Sequence, residues 1–507
     1  MKREDITSEL QSSALRSTDV LVIGGAGAGL RAAIAAAEQG VKVALASKLP
    51  AGGMSNTAIT AGWFTRSTEK SADELFYQVV YTGGYLNNQR LVEVFVKEVQ
   101  DKMPQLRQYG VDLFSEDVSS RIDKPGHYQV RRIEGKSRGY GLTQPLRDTA
   151  EKIGVEILDN VMVTELLTSN QAVVGATAVD LEKNQFFVIS AKSTVLATGG
   201  GARAYERSDN AEGTTGDGFA LAYRAGAELV DIECISFNLP HARMEAIFTV
   251  KNPPDEEILS IGGCHYFLGG VKIDEKAGCN LDGLYAAGEV TGGLFGAARL
   301  GGSAMADTIV FGAIAGEKAA ERAKSISMPV IDQTQVDAEE KWLTQMFDGG
   351  DQSPEFVSNA FVSDANKELR SKPSEVASKI RSTLWRYVGT MKTDVTLLKA
   401  RQELDAIMPL VNAQRVQNMT DLRTAIEARN MLDLGRVIVA ASTLRKETRG
   451  CYWRIDYPKP DNENWLKNII VTKDGDALKT KIQDAIMTKL RVPTDPPIGP
   501  GCFGYTR

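Results

Sequence analysis

The clearest chemical signal in the sequence is a glycine-rich turn close to the start of the chain. Residues Asp19 to Ile23 (DVLVI) have the pattern of a short buried strand, and the run GGAGAG leads from it into the alanine-rich stretch LRAAIAAAEQG. Glycines let such a turn tighten and let a pyrophosphate approach the backbone, while N–H groups at the start of the following helix bind the anion. The sequence therefore predicts a dinucleotide-binding turn formed by Gly24, Gly25, Ala26, Gly27, Ala28 and Gly29.

This turn alone does not distinguish between NAD and FAD. Ala26 replaces the middle glycine of the G-x-G-x-x-G pattern, and Ser47-Lys48 follow the second strand, where an acidic residue usually binds an NAD ribose. A glycine turn without a ligand, in an ordinary α/β domain, is a further alternative. Other segments of the chain are needed to choose among the three.

Three later segments contain a glycine-rich turn: STVLATGGG at 193–201 and LDGLYAAGEV at 281–290 each begin with a strand pattern, and GTTGDG at 213–218 opens a predicted helix. A binding domain assembled from segments this far apart fits an extended cofactor, and FAD lies in this way in flavoproteins with two dinucleotide-binding motifs. An NAD domain is more compact in sequence. We therefore predict FAD, bound also by Ala197, Thr198, Gly199, Gly200, Asp217 and Gly288. A helix N-cap is an alternative role for Asp217.

Composition is typical of a globular enzyme and excludes several classes of function. Of the 507 residues 43% are hydrophobic and 24% are charged, and the net charge of −6 argues against a nucleic-acid surface. The three histidines and five scattered cysteines, without a C-x-x-C pair, argue against a metal centre or an iron–sulfur cluster in this chain. No stretch is apolar enough to span a membrane, and the polar N-terminus lacks a signal core, so we expect a soluble, cytoplasmic protein.

The pattern changes along the chain. From about Pro329 onward glycine becomes rarer and apolar residues recur at spacings of three and four, which predicts helices. We expect a first part of the FAD-binding domain at 1–240, a short segment at 241–262, a second part at 263–328, a helical domain at 329–450 and a C-terminal extension at 451–507.

Seven segments of the chain, taken together, are specific enough for comparison with known families: VIGGAGAGLRAAI, SKLPAGGMSNTA, VLATGGGARAYERSDNAEGTTGDG, HYFLGGVKID, GLYAAGEVTGG, ARLGGSAMADTIVFGAIAG and ETRGCYWRIDYP. Together they resemble the flavoprotein subunits of the fumarate reductase and succinate dehydrogenase family, which includes L-aspartate oxidase and the adenylylsulfate reductase flavosubunit. The resemblance runs from about Asp19 to Leu466. It implies an α/β fold class, with a doubly wound two-dinucleotide-binding FAD domain built from discontinuous segments and a C-terminal helical domain.

The resemblance also implies roles for individual residues. His265 and Arg299 match the family's H-Y-x-x-G-G and R-L-G-G segments, which hold a substrate carboxylate, and Glu289 matches the glutamate that holds the ribityl chain. Further cofactor contacts are implied for Ser47, Lys48, Ser55, Asn56, Thr57, Arg299, Ser303 and Ala304. From the residues alone, His265 also fits a packed structural role, and Arg299 fits the neutralisation of a pyrophosphate or a helix end.

The sequence departs from the family at positions where histidine is common, namely Asn56, Asn238, Phe295 and Tyr452. Asn56 stands where respiratory members attach FAD covalently through histidine, and because an amide cannot form that bond, we expect non-covalent FAD. Tyr452 is a candidate catalytic residue, with a core aromatic as the alternative. The family's capping domain, which carries a proton-donating arginine, is replaced by the short segment between Pro240 and Gly262.

We therefore expect FAD-dependent transfer of a hydride or electrons to or from a small anionic or carbonyl-bearing molecule other than fumarate or succinate. Arg243 is a candidate catalytic residue in the shortened segment, together with Glu245 and His241, although His241 also fits a loop surface. The alternative is an electron-transfer subunit that meets a ferredoxin-like iron–sulfur protein and turns over no small molecule, with the proline- and glycine-rich tail as docking arm or surface strap. A plain NAD-dependent dehydrogenase is a third possibility.

Overall fold

The computed structural model describes residues 11–12, 15–114, 125–238, 262–347, 371–475 and 477–492. Their strands are β1 (Gln11–Ser12), β2 (Arg16–Ile23), β3 (Val43–Ser47), β4 (Trp63–Arg66), β5 (Leu113–Phe114), β6 (Gly126–Val130), β7 (Glu156–Asp159), β8 (Val161–Ser169), β9 (Ala172–Asp180), β10 (Gln185–Leu196), β11 (Leu229–Val230), β12 (Ile235–Asn238), β13 (Gly263–Phe267), β14 (Gly270–Lys272), β15 (Leu284–Ala286), β16 (Thr291–Gly292), β17 (Met391–Lys392), β18 (Trp453–Arg454), β19 (Lys467–Asp474) and β20 (Ala477–Asp484). Their α-helices are α1 (Gly27–Glu38), α2 (Asn56–Ile59), α3 (Ala72–Thr82), α4 (Gln89–Gln105), α5 (Tyr140–Lys152), α6 (Asp217–Ala225), α7 (Ser303–Ser325), α8 (Gln333–Thr344), α9 (Pro373–Tyr387), α10 (Asp394–Asn412), α11 (Met419–Leu444) and α12 (Asn462–Trp465).

The largest sheet joins the glycine-turn segments that the sequence predicts. Its parallel strands follow the order β7, β3, β2, β10, β15, while the first half of β10 pairs antiparallel with β9, which pairs with β8. Residues 194–196 of β10 therefore lie between β2 and β15, which are far apart in the chain. The α/β doubly wound fold, built from discontinuous segments, is confirmed.

Helices α1 and α7 pack on this sheet and closely on each other. Both are rich in alanine and glycine, and a Cβ atom at Gly316 of α7 would overlap the backbone of Ala32 in α1. A Cβ atom at Gly27 would lie 2.9 Å from the methyl group of Thr308. Small residues thus let the two helices approach, and this packing brings the start of α7 against the glycine turn that follows β2.

Smaller sheets carry several side chains of the candidate site. β12 and β13 pair antiparallel, with an irregularity between Ser236 and Phe237, and β6 lies between β4 and β5. Another sheet, in the order β16, β14, β11, β19, β20, combines short strands of the FAD-binding domain with the hairpin at 467–484. Residues from the last part of the chain therefore belong to the same sheet as β11 and β14.

Helices α9, α10 and α11 pack against one another and form the C-terminal helical domain that the sequence predicts. By contrast, α8 lies on β8 of the large sheet, where Val336 and Leu343 are buried. Arg445, fully buried after α11, donates to Asp231 (3.0 Å) and Glu233 (2.7 Å) and ties the helical domain to the FAD-binding domain. Within the described part of the chain, no helix has the length and apolar character of a membrane span. The individual domain boundaries stay predictions.

Candidate functional site

A cleft made of two adjoining cavities runs along the glycine turns. The volume of the larger cavity is about 920 Å³ and that of the smaller about 100 Å³, and their shared lining residues are Ala26, Ser55, Ala197, Thr198 and Thr214. We call the smaller cavity the turn end of the cleft; its walls include Gly24, Gly25, Ser47 and Lys48. We call one part of the larger cavity the polar end; it is lined by Asp209, His265 and Arg299.

Most residues predicted to bind the cofactor line this cleft. They are Gly24, Gly25, Ala26, Ala28, Ser47, Lys48, Ser55, Asn56, Thr57, Ala197, Thr198, Gly199, Asp217, Gly288, Glu289, Arg299 and Ala304. The predicted residues that do not line it are Gly27, Gly29, Gly200 and Ser303. Gly200 instead packs on Glu289, and Ser303 is the first residue of α7. The fold thus gathers segments from distant parts of the chain along one cleft.

The glycine turn after β2 has the shape that a pyrophosphate requires. Gly24 has a φ of +115°, and a Cβ atom there would overlap the carbonyl oxygen of Ala197. Helix α1 begins at Gly27, and its N-cap Ala26 provides no side chain to occupy the first amide groups. No acidic residue lies in this first turn, so the helix N-terminus offers N–H groups and a positive dipole end to an anion in the cleft.

Lys48 and Asp217, both predicted to bind the cofactor, are paired with each other at the turn end. Lys48 Nζ lies 2.7 Å from Asp217 and 2.9 Å from Glu427 of α11, and all three side chains are nearly buried. Burial raises the pKa of Asp217, but Lys48 and a hydrogen bond from Asn430 (2.9 Å) lower it overall. The N-cap of α6 is Gly216, and the Asp217 carboxylate joins the two domains instead of capping the helix.

Glu289 is buried in the wall of the larger cavity. Its carboxylate accepts hydrogen bonds from the Phe267 amide (3.1 Å) and the Asn56 side chain (3.4 Å), and burial raises its pKa. The Asn56 side chain also donates to Asn210 (2.5 Å) and accepts from the Ala211 amide (2.9 Å). Asn56 therefore connects the glutamate of the cofactor wall to Asn210, which lies next to the polar end.

At the polar end, His265 is paired with a carboxylate that is not among the predicted site residues. Its Nδ1 lies 2.8 Å from Asp209 Oδ2, and the Asn238 side chain contacts the same carboxylate oxygen. Burial raises the pKa of Asp209, but the hydrogen bond and charge of His265 lower it overall. Backbone pairing explains this arrangement, because Ser208 forms a bridge with Cys264 of β13 and Asp209 thus comes beside His265.

Arg299 is the cationic group of the polar end. The central carbon of its guanidinium lies 4.3 Å from the centre of the Tyr266 ring, which is a cation–π contact. Among the described residues it has no carboxylate partner, and burial raises the pKa of the neighbouring Asp307 carboxyl to about 8 in spite of the arginine. The charge of Arg299 is therefore open to an anionic ligand in the cavity.

Two aromatic residues that the sequence does not single out line the same cavity. The ring centres of Trp63 in β4 and His127 in β6 are 5.6 Å apart, and His127 Nε2 lies 3.3 Å from the carbonyl oxygen of Gly301. The only available signal for His127 is that the chain has three histidines, and for Asp209 its place in the segment YERSDNAEG. Neither residue stands at a spacing that indicates chemistry, because tertiary packing alone brings them to the cavity.

The remaining predicted catalytic residues are Tyr452 and Arg243. Tyr452 is fully buried and its hydroxyl donates to the Ser442 carbonyl at 2.8 Å, so it lies in the core, which is the alternative that the sequence leaves open. It lines neither cavity, and its position does not support a catalytic role. Arg243, like Glu245 and His241, lies outside the described residues.

Comparison with known proteins connects this cleft to a family. A family described as FAD binding domain matches residues 19–246 and 234–305, and one described as fumarate reductase flavoprotein C-term matches residues 377–497. An uncharacterized FAD-dependent oxidoreductase of Methanocaldococcus jannaschii is 30% identical, over 90% of this chain and 96% of the relative. One subunit of the fumarate reductase (CoM/CoB) of Methanothermobacter marburgensis is 28% identical, over 91% of this chain and 98% of the relative.

A solved structure of E. coli quinol fumarate reductase matches 96% of this chain and 99% of that chain, with a TM-score of 0.79 and 22% identity. This match shows the same fold. Together with the geometry of the cleft, the family matches identify FAD as the cofactor and the protein as an FAD-dependent oxidoreductase. The chain therefore belongs to the fumarate reductase and succinate dehydrogenase flavoprotein family.

Proposed function

We propose that this oxidoreductase passes a hydride between FAD and a small organic molecule that carries an anionic or carbonyl group, and that fumarate and succinate are not its substrates. The observation that carries the proposal is the position of Arg299. Its charge has no carboxylate partner among the described residues, and it lines the same cavity as Gly288 and Glu289. A cation at this place binds an anionic or polarised substrate and orients it beside the cofactor.

Several groups of the cleft fit the parts of FAD. The amides at the start of α1 would hold the pyrophosphate, Ser47 would face the adenosine at the turn end, and Glu289 would bind the ribityl chain. When bound, FAD supplies the carrier of the hydride. We propose that it is held non-covalently, since Asn56 stands where a linking histidine would be needed.

The polar end favours a ligand with one carboxylate over a dicarboxylate. Among the described residues of the larger cavity, Arg299 is the single lysine or arginine. The family resemblance implies His265 as a second clamp, but here its Nδ1 lies 2.8 Å from the Asp209 carboxylate. A second substrate carboxylate would approach a histidine that already contacts the negative charge of Asp209, and this weakens the binding of that carboxylate.

The experiment is anaerobic photoreduction of the FAD-loaded protein, followed by single additions of unsaturated acids, enones and oxidised sulfur compounds. We expect at least one compound other than fumarate to restore the absorbance of the oxidised flavin at about 450 nm. If fumarate is the fastest acceptor, the exclusion of fumarate is wrong. If every compound fails while a ferredoxin reoxidises the flavin, the enzyme proposal is wrong and the electron-transfer alternative holds.

We propose that the physiological electron partner is a separate iron–sulfur protein of the ferredoxin type. The support is that the M. marburgensis relative is named as one subunit of an enzyme. The described residues contain no group of metal-binding side chains that could hold a cluster within this chain. The measurement is reduction of the oxidised flavin by a chemically reduced ferredoxin under anaerobic conditions, and a flavin that stays oxidised contradicts this partner.

A further inference from the structure

We propose that Asp209 makes His265 a proton-transfer group instead of a carboxylate clamp, so that the substrate presents one anionic group to Arg299 and an uncharged ketone or hydroxyl oxygen to His265. This inference rests on the proposed function, because it names the substrate class of the same site. It differs from the role that the family resemblance implies for His265.

The geometry of the pair fixes which ring nitrogen meets the substrate. A carboxylate can only accept hydrogen bonds, so the 2.8 Å contact between Asp209 Oδ2 and His265 Nδ1 requires a proton on Nδ1. The Asn238 amide, 3.2 Å from the same nitrogen, then donates to Asp209 Oδ2 and not to the ring. Nε2 is then the ring nitrogen that remains for a ligand in the cavity that His265 lines. A histidine oriented in this way by a carboxylate is suited to move a proton at Nε2.

Asp209 is itself held in place by asparagine side chains. Asn210 donates to Asp209 Oδ1 (2.9 Å) and to the backbone carbonyl of His265 (2.8 Å), and Asn56 donates to Asn210 (2.5 Å). Both oxygens of the carboxylate are therefore engaged, while the side chains of His265 and Asp209 stay 36% and 44% exposed. The pair is fixed in direction and still open to a substrate.

The charges around His265 disfavour an anion at Nε2. Asp209 is hydrogen-bonded to the ring, and the buried Glu289 carboxylate is close enough to interact with it. Glu289 and the buried Asp307 carboxyl interact with Arg299 as well, but no described carboxylate forms a salt bridge with its guanidinium, which packs on the Tyr266 ring. The anionic group of the substrate therefore belongs at Arg299 and a neutral oxygen belongs at His265.

Acetylacrylate is a probe of this class, because it carries one carboxylate and a ketone conjugated to its C=C bond. Held at the start of α1 and by Glu289, FAD in its reduced state would supply the hydride that the alkene carbon next to the carboxylate accepts. The electron pair of the C=C bond moves towards the ketone oxygen, which takes a proton from His265 Nε2, and the resulting enol becomes the ketone levulinate in water. The histidine regains its proton from solvent, so that one hydride and one proton are consumed for each alkene reduced.

The test compares acetylacrylate with fumarate and with crotonate, which has a carboxylate but no ketone, as acceptors for the photoreduced holoenzyme. We expect acetylacrylate to react at least about tenfold faster than either, corresponding to about 1.4 kcal/mol of barrier. Asp209→Asn should slow the acetylacrylate reaction by about 100-fold and change the affinity for levulinate less than threefold, since Arg299 is intact. The control Glu212→Gln removes an exposed acid three residues away and should match the native rate.

A second readout does not depend on turnover. With only three histidines in the chain, nitrogen-15 labelling of histidine should show one ring protonated at Nδ1 in the holoenzyme, and His265→Gln assigns that signal. Asp209→Asn should abolish it. A native His265 protonated only at Nε2, or equal acetylacrylate rates in Asp209→Asn and Glu212→Gln, overturns this inference and leaves the proposed function standing. Failure of every acceptor overturns the proposed function, and the substrate class with it.

Discussion

The two ends of the cleft are formed in different ways. At the turn end, close backbone contacts and small residues make much of the wall, and the charged side chain of Lys48 is fixed by Asp217 and Glu427. At the polar end, side chains from separate segments meet in an open cavity, and His265 and Asp209 stay partly exposed. Cofactor binding thus depends on backbone shape that tolerates little change, whereas substrate choice depends on a few side chains that can be exchanged.

The largest effect should follow from a change of backbone shape at the turn end. In Gly24→Ala the new Cβ meets the Ala197 carbonyl oxygen at a φ of +115°. We expect loss of at least about 3 kcal/mol of stability and an FAD affinity reduced by more than about 100-fold. The measurements are the flavin-to-protein ratio after purification and the dissociation constant from flavin fluorescence.

The matched control for this change is Gly40→Ala. Gly40 also has a positive φ, of +77°, but a Cβ atom there meets nothing within 4 Å. We expect this variant to cost about 1–2 kcal/mol and to keep its FAD. If the two variants lose FAD to the same extent, backbone shape at the turn is not what holds the cofactor.

The next effect should come from the buried ion pairs of the turn end. Lys48→Met leaves the Asp217 carboxylate buried without its cation, while Glu427 keeps its salt bridge with Arg423, and we expect a loss of about 3 kcal/mol in the free energy of unfolding. Denaturant unfolding of the FAD-free protein measures it. The exposed pair of Arg16 and Glu156 provides the control, because Arg16→Met should cost less than about 1 kcal/mol.

The same pair predicts a pH dependence of stability. The pKa of Asp217 is lowered in the folded protein. The contribution of this carboxylate to the free energy of unfolding is therefore complete above the ordinary pKa of about 3.9 and is lost as the pH falls through the lowered pKa. The pKa of Lys48 is raised in the folded protein. The contribution of this ammonium group to the free energy of unfolding is therefore complete below the ordinary pKa of about 10.4 and is lost as the pH rises through the raised pKa. The difference in unfolding free energy between the native protein and Lys48→Met should be largest between about pH 5 and 9. A difference that stays constant from acid to alkaline pH contradicts the ion pairing.

At the polar end, a large effect on turnover should occur without loss of cofactor. Arg299→Met removes the charge that we assign to substrate binding, and we expect kcat/KM for the best acceptor to fall by about 100-fold. Tyr266→Phe keeps the ring under the guanidinium and should change kcat/KM less than threefold. An Arg299→Met protein that is purified without FAD would show that the arginine serves the cofactor instead.

The smallest effect should appear at Asn56, which lies between the two ends. Asn56→Ala removes the hydrogen bonds to Asn210 and to the Ala211 amide, and we expect about 1–2 kcal/mol of lost stability and a several-fold slower reaction.

Acid precipitation of the native protein and of Asn56→Ala should release all flavin into the supernatant. Flavin that stays with the native precipitate would contradict non-covalent binding.

The difference between the two ends also explains what the sequence can predict. The strand pattern DVLVI, the glycine run after it and the later strand–turn segments are local signals, and the large sheet joins them as expected. The C-terminal helices are likewise predicted by their apolar spacing. Backbone requirements can be recognised in the local sequence, because only glycine fits a position such as Gly24.

The residues of the polar end are harder to predict from the sequence. Asp209 and His127 reach the cavity through a bridge to β13 and through the sheet of β4, β5 and β6, and neither pairing is encoded by a local pattern. Tyr452 is the opposite case: its aligned position makes it a candidate catalytic residue, but its ring lies in the core and its hydroxyl donates to a backbone carbonyl. An aligned position gives the place in the chain but not the packing around it.

The central claim is that the bound flavin shares its cavity with Arg299. The most direct measurement is a titration of the oxidised holoenzyme with levulinate, in which the difference spectrum of the flavin is recorded at about 450 nm. We predict a saturable change in the native protein, with an affinity at least about tenfold weaker in Arg299→Met and the same FAD content in both. A purified protein that is colourless and takes up no FAD, or identical titrations of the two proteins, would contradict the account.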